Sequence, residues 1–249
     1  MNPLRIAILG GCLNSGYGYV TFNQLYHRIM ARALEKQLQR PVKVTLGLLN
    51  THQHRGIVDK TSDMLQRDKP DIVIIQIRPD FLWGLLSAFW LDRSGSGLAR
   101  LRKNPHHSHG ESWPASYEDS ICPMRRFAPW NLTIAKATGV TTKAQQCLKT
   151  RLHELSQLCE KNRAALALIT PIFGSYYHPV IRRYTEENIL PILQSSGLPL
   201  IDLLSSNAQR QSTSWADHFH LNAAGHQIAA VLAIQALLPL RGQSSHGNI

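Results

Sequence analysis

The chain has 249 residues, 43% of them hydrophobic and 17% charged, and its 27 basic and 16 acidic side chains give a formal net charge of +11. This is the composition of a folded protein with a sizeable core; it excludes disorder, collagen and coiled coil, and four cysteines are too few for a disulfide scaffold. The basic residues are spread along the chain without a nucleic-acid motif, so the charge points to an acidic partner or substrate and away from nucleic acid.

Taken in chain order, the pattern alternates strand and helix. Residues 4–9 form a short apolar run that ends in Gly10-Gly11 and predict a buried strand meeting a turn. Residues 19–38 predict an amphipathic helix, with Phe22, Leu25, Ile29 and Leu34 near helical spacing. A strand at 42–49 and a helix at 56–67 follow. Residues 71–77, reading DIVIIQI, lack polar alternation and predict a strand covered by helices on both faces, as in the middle of a parallel sheet. A helix is expected at 81–91. Residues 93–135 show no period and read as a lid-like insertion rich in Trp, Arg and His. Regularity returns with a helix at 140–162, where Leu148, Leu152, Leu155 and Leu158 form a stripe that takes in Cys147 and Cys159. A strand at 164–169, a helix at 178–195, a strand at 198–204 and a last helix at 222–237 complete the series, and 241–249 reads as a tail.

Five strands alternating with helices predict one three-layer α/β/α domain over residues 1–240, with a five-stranded parallel sheet. No membrane span is expected. The most apolar run, residues 228–240, is interrupted by Gln235 and Pro239 and falls short of the ~18–20 residues required. Leu9-Gly10-Gly11-Cys12 looks like a lipoprotein cleavage box, but the apolar stretch before it is far shorter than the ~7–15 residues of a signal-peptide core. A cytoplasmic location with reduced thiols is the expectation.

In such sheets functional residues sit at the carboxyl ends of the strands. The first strand end offers Cys12 on a Gly-Gly turn before a helix, where backbone N–H groups and the helix N-terminus favour the thiolate. The loop before the last helix offers Asp217-His218-Phe219-His220. Asp217 and His220, three apart on a loop, can point the same way, the carboxylate fixing the imidazole tautomer and stabilising its charged form. Nucleophile, base and orienting group are thus all available. His106, His107 and His109 lack a second ligand cluster and read as a solvated loop; Cys122, Cys147 and Cys159 have no metal spacing; so no metal is expected. His52 and His54 read as surface histidines, and His226 as structural.

Two blocks carry a resemblance. Gly10-Gly11-Cys12-Leu13-Asn14-Ser15-Gly16-Tyr17-Gly18 resembles the Gly-Asp-Ser-Leu block of the SGNH (GDSL-like) hydrolases, whose Ser is the nucleophile. Asp217-His218-Phe219-His220-Leu221-Asn222-Ala223-Ala224-Gly225 resembles their Asp-x-x-His-Leu-Asn-x-x-Gly block. The resemblance runs in order and spacing from residue 4 to 237, apart from the insertion. It implies a flavodoxin-like sandwich, no cofactor, and hydrolysis of esters, thioesters or sugar acyl groups. It further implies a backbone oxyanion donor at Gly56 beside that of Cys12.

The departures are as informative. Cys12 stands at the nucleophile position and Gly11 where the family has Asp. The family's oxyanion Asn aligns with Asp80, in Arg78-Pro79-Asp80-Phe81, and an ionised carboxylate there repels a developing oxyanion. Arg78 and Asn14 are the candidate replacement donors. A thiolate leaves a tetrahedral intermediate more readily than an alkoxide. With a thioester the two leaving groups are matched, so Cys12 points to thioester chemistry or acyl transfer. The net charge fits an acidic donor such as coenzyme A or an acyl carrier protein. Two alternatives stand beside this: a catalytically inactive protein of the same fold that binds an acyl or sugar ligand, and a flavodoxin-like nucleotide binder, the latter weakened by the absence of a phosphate-binding glycine fingerprint.

Overall fold

A computed structural model of the chain describes residues 2–48, 56–77, 128–173, 179–206, 212–216 and 220–242. Five parallel strands make one sheet in the order β2-β1-β3-β4-β5, from β1 (Leu4–Gly10), β2 (Val42–Leu48), β3 (Ile72–Gln76), β4 (Ala165–Ile169) and β5 (Leu200–Ile201). This is the flavodoxin-like order, with its switch point between β1 and β3. The register runs Leu4↔Val42 to Gly10↔Leu48 on one side of β1 and Ile6↔Ile72 to Leu9↔Ile75 on the other.

Strand side chains alternate between two helical layers. Ala7 and Leu9 of β1, Val73 and Ile75 of β3, and Leu166 and Leu168 of β4 face α2 (Ile57–Asp68) and α4 (Val140–Lys161), whose Met64, Leu148 and Leu155 close that layer. Ile6 and Ile8, Ile72 and Ile74, Ala167 and Ile169 face α1 (Tyr26–Leu38) and α7 (Ala223–Leu237), through Tyr26, Met30, Ala229 and Ala233. Period-two geometry sends successive residues to opposite faces. A strand clad on both sides is therefore apolar throughout, which is why every residue of β3 is buried.

The structure corrects several expectations. The helix expected at 19–38 begins only at Tyr26. Thr21 donates through both its N–H and Oγ1 to Gln24 Oε1, closing a separate 3-10 turn (Phe22–Gln24), and Leu25 is extended. Within the segment at 93–135 the described residues, 128–135, are helical and belong to α3 (Ala128–Ala137); residues 93–127 and the helix expected at 81–91 lie outside the described residues. The helix expected to run unbroken over 178–195 is two, α5 (Pro179–Asn188) and α6 (Leu190–Gln194), because Pro191 cannot donate a helical hydrogen bond. The strand expected at 198–204 shrinks to β5, after Pro199. The expected tail begins later, since a 3-10 turn spans Leu238–Gly242.

Ala223–Leu240 has the length and apolar composition of a membrane span, with a mean hydropathy of 1.5, contrary to the expectation of no such run. Here its Ala229, Ala230, Ala233 and Leu237 are buried in the layer formed with α1 and the sheet.

Candidate functional site

The site is built where β1 ends beside β3. Beyond Gly10 the chain leaves the sheet, and the Gly11 carbonyl accepts the Asn14 N–H at 3.0 Å, closing a 3-10 turn over Cys12–Asn14. Cys12 therefore opens a single short turn and not an α-helix, since α1 starts only at Tyr26. The helix-terminus assistance expected for its thiolate is correspondingly small. The Cys12 side chain, and all of Asp217, Arg78 and Asp80, lie outside the described residues.

Beneath this turn is a buried polar floor. Gln76, the last residue of β3 and 5% exposed, accepts the Gly11 N–H through Oε1 at 2.9 Å. A Cβ on Gly10 would lie 2.9 Å from both Gln76 Oε1 and Asn14 Nδ2, so only glycine leaves these amides their room. Asn14, 3% exposed, accepts from the Tyr26 hydroxyl at 3.1 Å, and its Nδ2 has no partner among the described residues. Burial holds the Tyr26 hydroxyl far above the ordinary phenol range, so it stays protonated and donates. Gly56 stands at the start of α2, on the carboxyl side of β2, and its carbonyl accepts the Lys60 N–H at 2.9 Å.

His220 comes to this loop from the far end of the chain. It is 6% exposed, and its ring lies 5.6 Å from that of Tyr19, tilted by 30°, on the loop that carries Cys12. The backbone around it is tightly tied. Its carbonyl accepts the Ala216 N–H at 2.8 Å, and Trp215 and Leu221 form an antiparallel bridge. Asn222 donates its backbone N–H to the Ser214 carbonyl at 3.0 Å and its Nδ2 to the Thr213 carbonyl at 2.7 Å. Its Oδ1 accepts the Gly225 N–H at 3.1 Å and so caps α7. Gly225 is required by close packing at the same place, since a Cβ there would meet the Ser214 carbonyl oxygen at 2.4 Å. The Asn and Gly of the His-Leu-Asn-x-x-Gly sequence thus hold the histidine loop in shape.

Two further histidines adjoin the site, and only one drew notice in the sequence. His226, structural as expected, accepts the Tyr26 N–H at Nδ1 (3.2 Å) and stacks on the Tyr26 ring at 6.3 Å and 12°. It thereby satisfies one of the unpaired N–H groups at the start of α1. Burial, and secondarily the nearby His220, push its pKa down to about 4, so it is neutral at pH 7 with its proton on Nε2. His27 is fully buried, neither ring nitrogen has a partner among the described residues, and burial with Arg28 and His226 beside it also lowers its pKa to about 4. Nothing in the helical period of α1 marks His27 or Tyr26 as part of this region. Gln76 was visible as the one polar residue in an aliphatic strand.

Cys159 is buried on α4, and burial pushes its thiol up to about 12; Cys147 is half-buried on the same helix. His52, His54, His106, His107, His109 and Cys122 lie outside the described residues.

No family model matches the sequence, and no curated protein matches it. Solved structures do. A structure of TesA shares 14% identity at a TM-score of 0.57, covering 95% of this chain and 99% of its own. The esterase EstA from Pseudoalteromonas shares 13% at 0.55, covering 96% and 99%. A lipolytic protein of the G-D-S-L family from Desulfitobacterium hafniense shares 11% at 0.55, covering 94% and 99%. With the strand order and the two helical layers, these likenesses give the chain the α/β/α fold of the SGNH hydrolases.

Proposed function

We propose that the protein transfers acyl groups through a covalent acyl-cysteine at Cys12. The observation that carries this is the burial of His220 against Tyr19, on the loop that follows β1 and bears Cys12. In the proposed reaction His220 takes the thiol proton as the Cys12 sulfur attacks the acyl carbonyl. The backbone N–H groups of Cys12 and Gly56 stabilise the oxyanion. The intermediate collapses, the bond to the leaving group breaks, and His220 returns the proton to it. Water or another nucleophile then attacks the acyl-cysteine, again deprotonated by His220, and the thiol is restored. Asp217 is assigned the orienting role, three residues before His220. Arg78 and Asn14 are kept as additional oxyanion donors, and Asp80 as the residue at the family's Asn position.

Esterase names among the structures of like fold, such as the acetyl xylan esterase AlAXEase at 14% identity and a TM-score of 0.55, favour acyl chemistry over nucleotide binding. The leaving-group match of a thiolate nucleophile favours a thioester donor. The +11 charge favours an acidic one, coenzyme A or an acyl carrier protein. We place the protein in the cytoplasm, where such donors occur and thiols stay reduced.

The test is turnover of matched acyl thioesters and oxygen esters by the wild type, Cys12→Ala, Cys12→Ser and His220→Ala. The proposal expects thioester turnover that falls at least ~100-fold in Cys12→Ala and His220→Ala. Equal rates in wild type and Cys12→Ala would refute a cysteine nucleophile. No turnover of any donor would favour the inactive, ligand-binding alternative.

A further inference from the structure

The side chain of Gln76 has no place in the reaction just proposed, yet it is buried under the nucleophile turn and bonded to it. Four of the five residues of β3 are Ile or Val, and a primary amide at its end, 5% exposed, is costly unless paired. Its pairing is specific. The β1–β3 ladder ends at Leu9↔Ile75, so the Gly11 N–H lies beyond the last backbone partner on that side. Gln76 Oε1 takes this N–H at 2.9 Å, extending the ladder by one side-chain bond onto the residue directly before Cys12. On the other side of Cys12 the turn is closed by the Asn14 N–H on the Gly11 carbonyl, and the Asn14 amide is tied to the Tyr26 hydroxyl. Gly10 completes the fit, since its missing Cβ leaves the space that Gln76 Oε1 and Asn14 Nδ2 occupy.

We propose that Gln76 is a positioning residue for Cys12: its hydrogen bond to the Gly11 N–H fixes the backbone of the turn on which Cys12 sits. Gly11 has no side chain with which to anchor the turn itself. The proposal rests on the acyl-cysteine reading, and its test separates the two.

The variants are Gln76→Met, which keeps length and apolar bulk but removes a strong acceptor, and Gln76→Glu, which keeps an oxygen at that place. For each full-length protein the readouts are kcat and KM on an acyl thioester, the pH profile of Cys12 alkylation followed by peptide mass, and thermal unfolding. Gln76→Met is expected to lose ~10–100-fold in kcat with KM changed less than ~3-fold, because misplacement of a reacting group acts on the chemical step. Its alkylation midpoint is expected to move toward the ordinary thiol value. Gln76→Glu, assayed where the thiol is ionised, is expected to regain most of kcat. Should Gln76→Met fail to fold, Gly10→Ala sets a Cβ against the same oxygen, and against Asn14 Nδ2, and is expected to lower kcat in the same way. Wild-type kcat and midpoint in Gln76→Met (or in Gly10→Ala, if that variant must stand in) would overturn the proposal while leaving the acyl-cysteine reading intact. Equal losses in Gln76→Glu and Gln76→Met would overturn it too. A wild type that neither turns over nor alkylates below the ordinary thiol range would overturn both together.

Discussion

Replacing Gly225 by alanine sets helix propensity against packing, and the two predict opposite signs. Gly225 lies in the first turn of α7, where Gly→Ala alone would stabilise by about 1 kcal/mol. A Cβ at this place would sit 2.4 Å from the Ser214 carbonyl oxygen and 2.9 Å from the Leu221 Cβ, far inside van der Waals contact. No rotamer change relieves the first contact, because that oxygen belongs to the backbone and also accepts the Asn222 N–H. Either the helix or the 212–216 turn must move. Overpacking costs about 1–3 kcal/mol, and a rigid backbone partner puts this case at the upper end, about 3 kcal/mol. The net expectation is a loss of about 2 kcal/mol, or a Tm lower by about 4–8 °C for a chain of this size. Thermal and urea unfolding measure it. Because His220 hangs from the same loop, its imidazole resonances are expected to shift as well. A Tm equal to or above the wild type's would refute the packing argument for this glycine.

Asn222→Ala removes the side-chain cap on the Gly225 N–H and the Nδ2 bond to the Thr213 carbonyl, and is expected to cost about 1–2 kcal/mol in urea unfolding. His27 and His226 stay neutral in the fold down to about pH 4, whereas free imidazoles take a proton near 6.5. The unfolded chain then binds more protons between these values, so stability falls as pH falls through that window, by up to about 3 kcal/mol per group. Urea midpoints from pH 7 to 4 are expected to show this slope, and His27→Leu to flatten it; a slope unchanged in His27→Leu would contradict the assignment. Lys69 closes α2 in the left-handed region at φ 45°, and Lys69→Gly is expected to stabilise by about 0.5–1 kcal/mol in the same assay.

Much of the sheet was legible because its physics is local. An unbroken Ile-Val run between turn residues has few solutions other than a buried strand, and the alternating apolar faces of β1 and β3 follow from pleat geometry alone. The helix starts were less legible. The run of apolar residues from Phe22 has helical spacing, yet the Thr21–Gln24 bonds and the extended Leu25 end that turn before α1 begins. Helix α3 was hidden by the irregular composition before it and by Pro129, which sits in its first turn where a missing N–H costs nothing. At the site, the two blocks that bear Cys12 and His220 could be read from residue type and spacing. The supports could not. Tyr26 and Asn14, Gln76 and Gly11, Tyr26 and His226 are pairs made by the fold, the last of them 200 residues apart.

A covalent acyl group on Cys12 is tested most directly by intact-protein mass after incubation with a panel of short and long acyl thioesters. Wild type is expected to gain the mass of the acyl group, mapped to the peptide carrying Cys12 and discharged by added amine or thiol, while Cys12→Ala gains none. No adduct from any donor, or an adduct of equal yield in Cys12→Ala, would contradict the account.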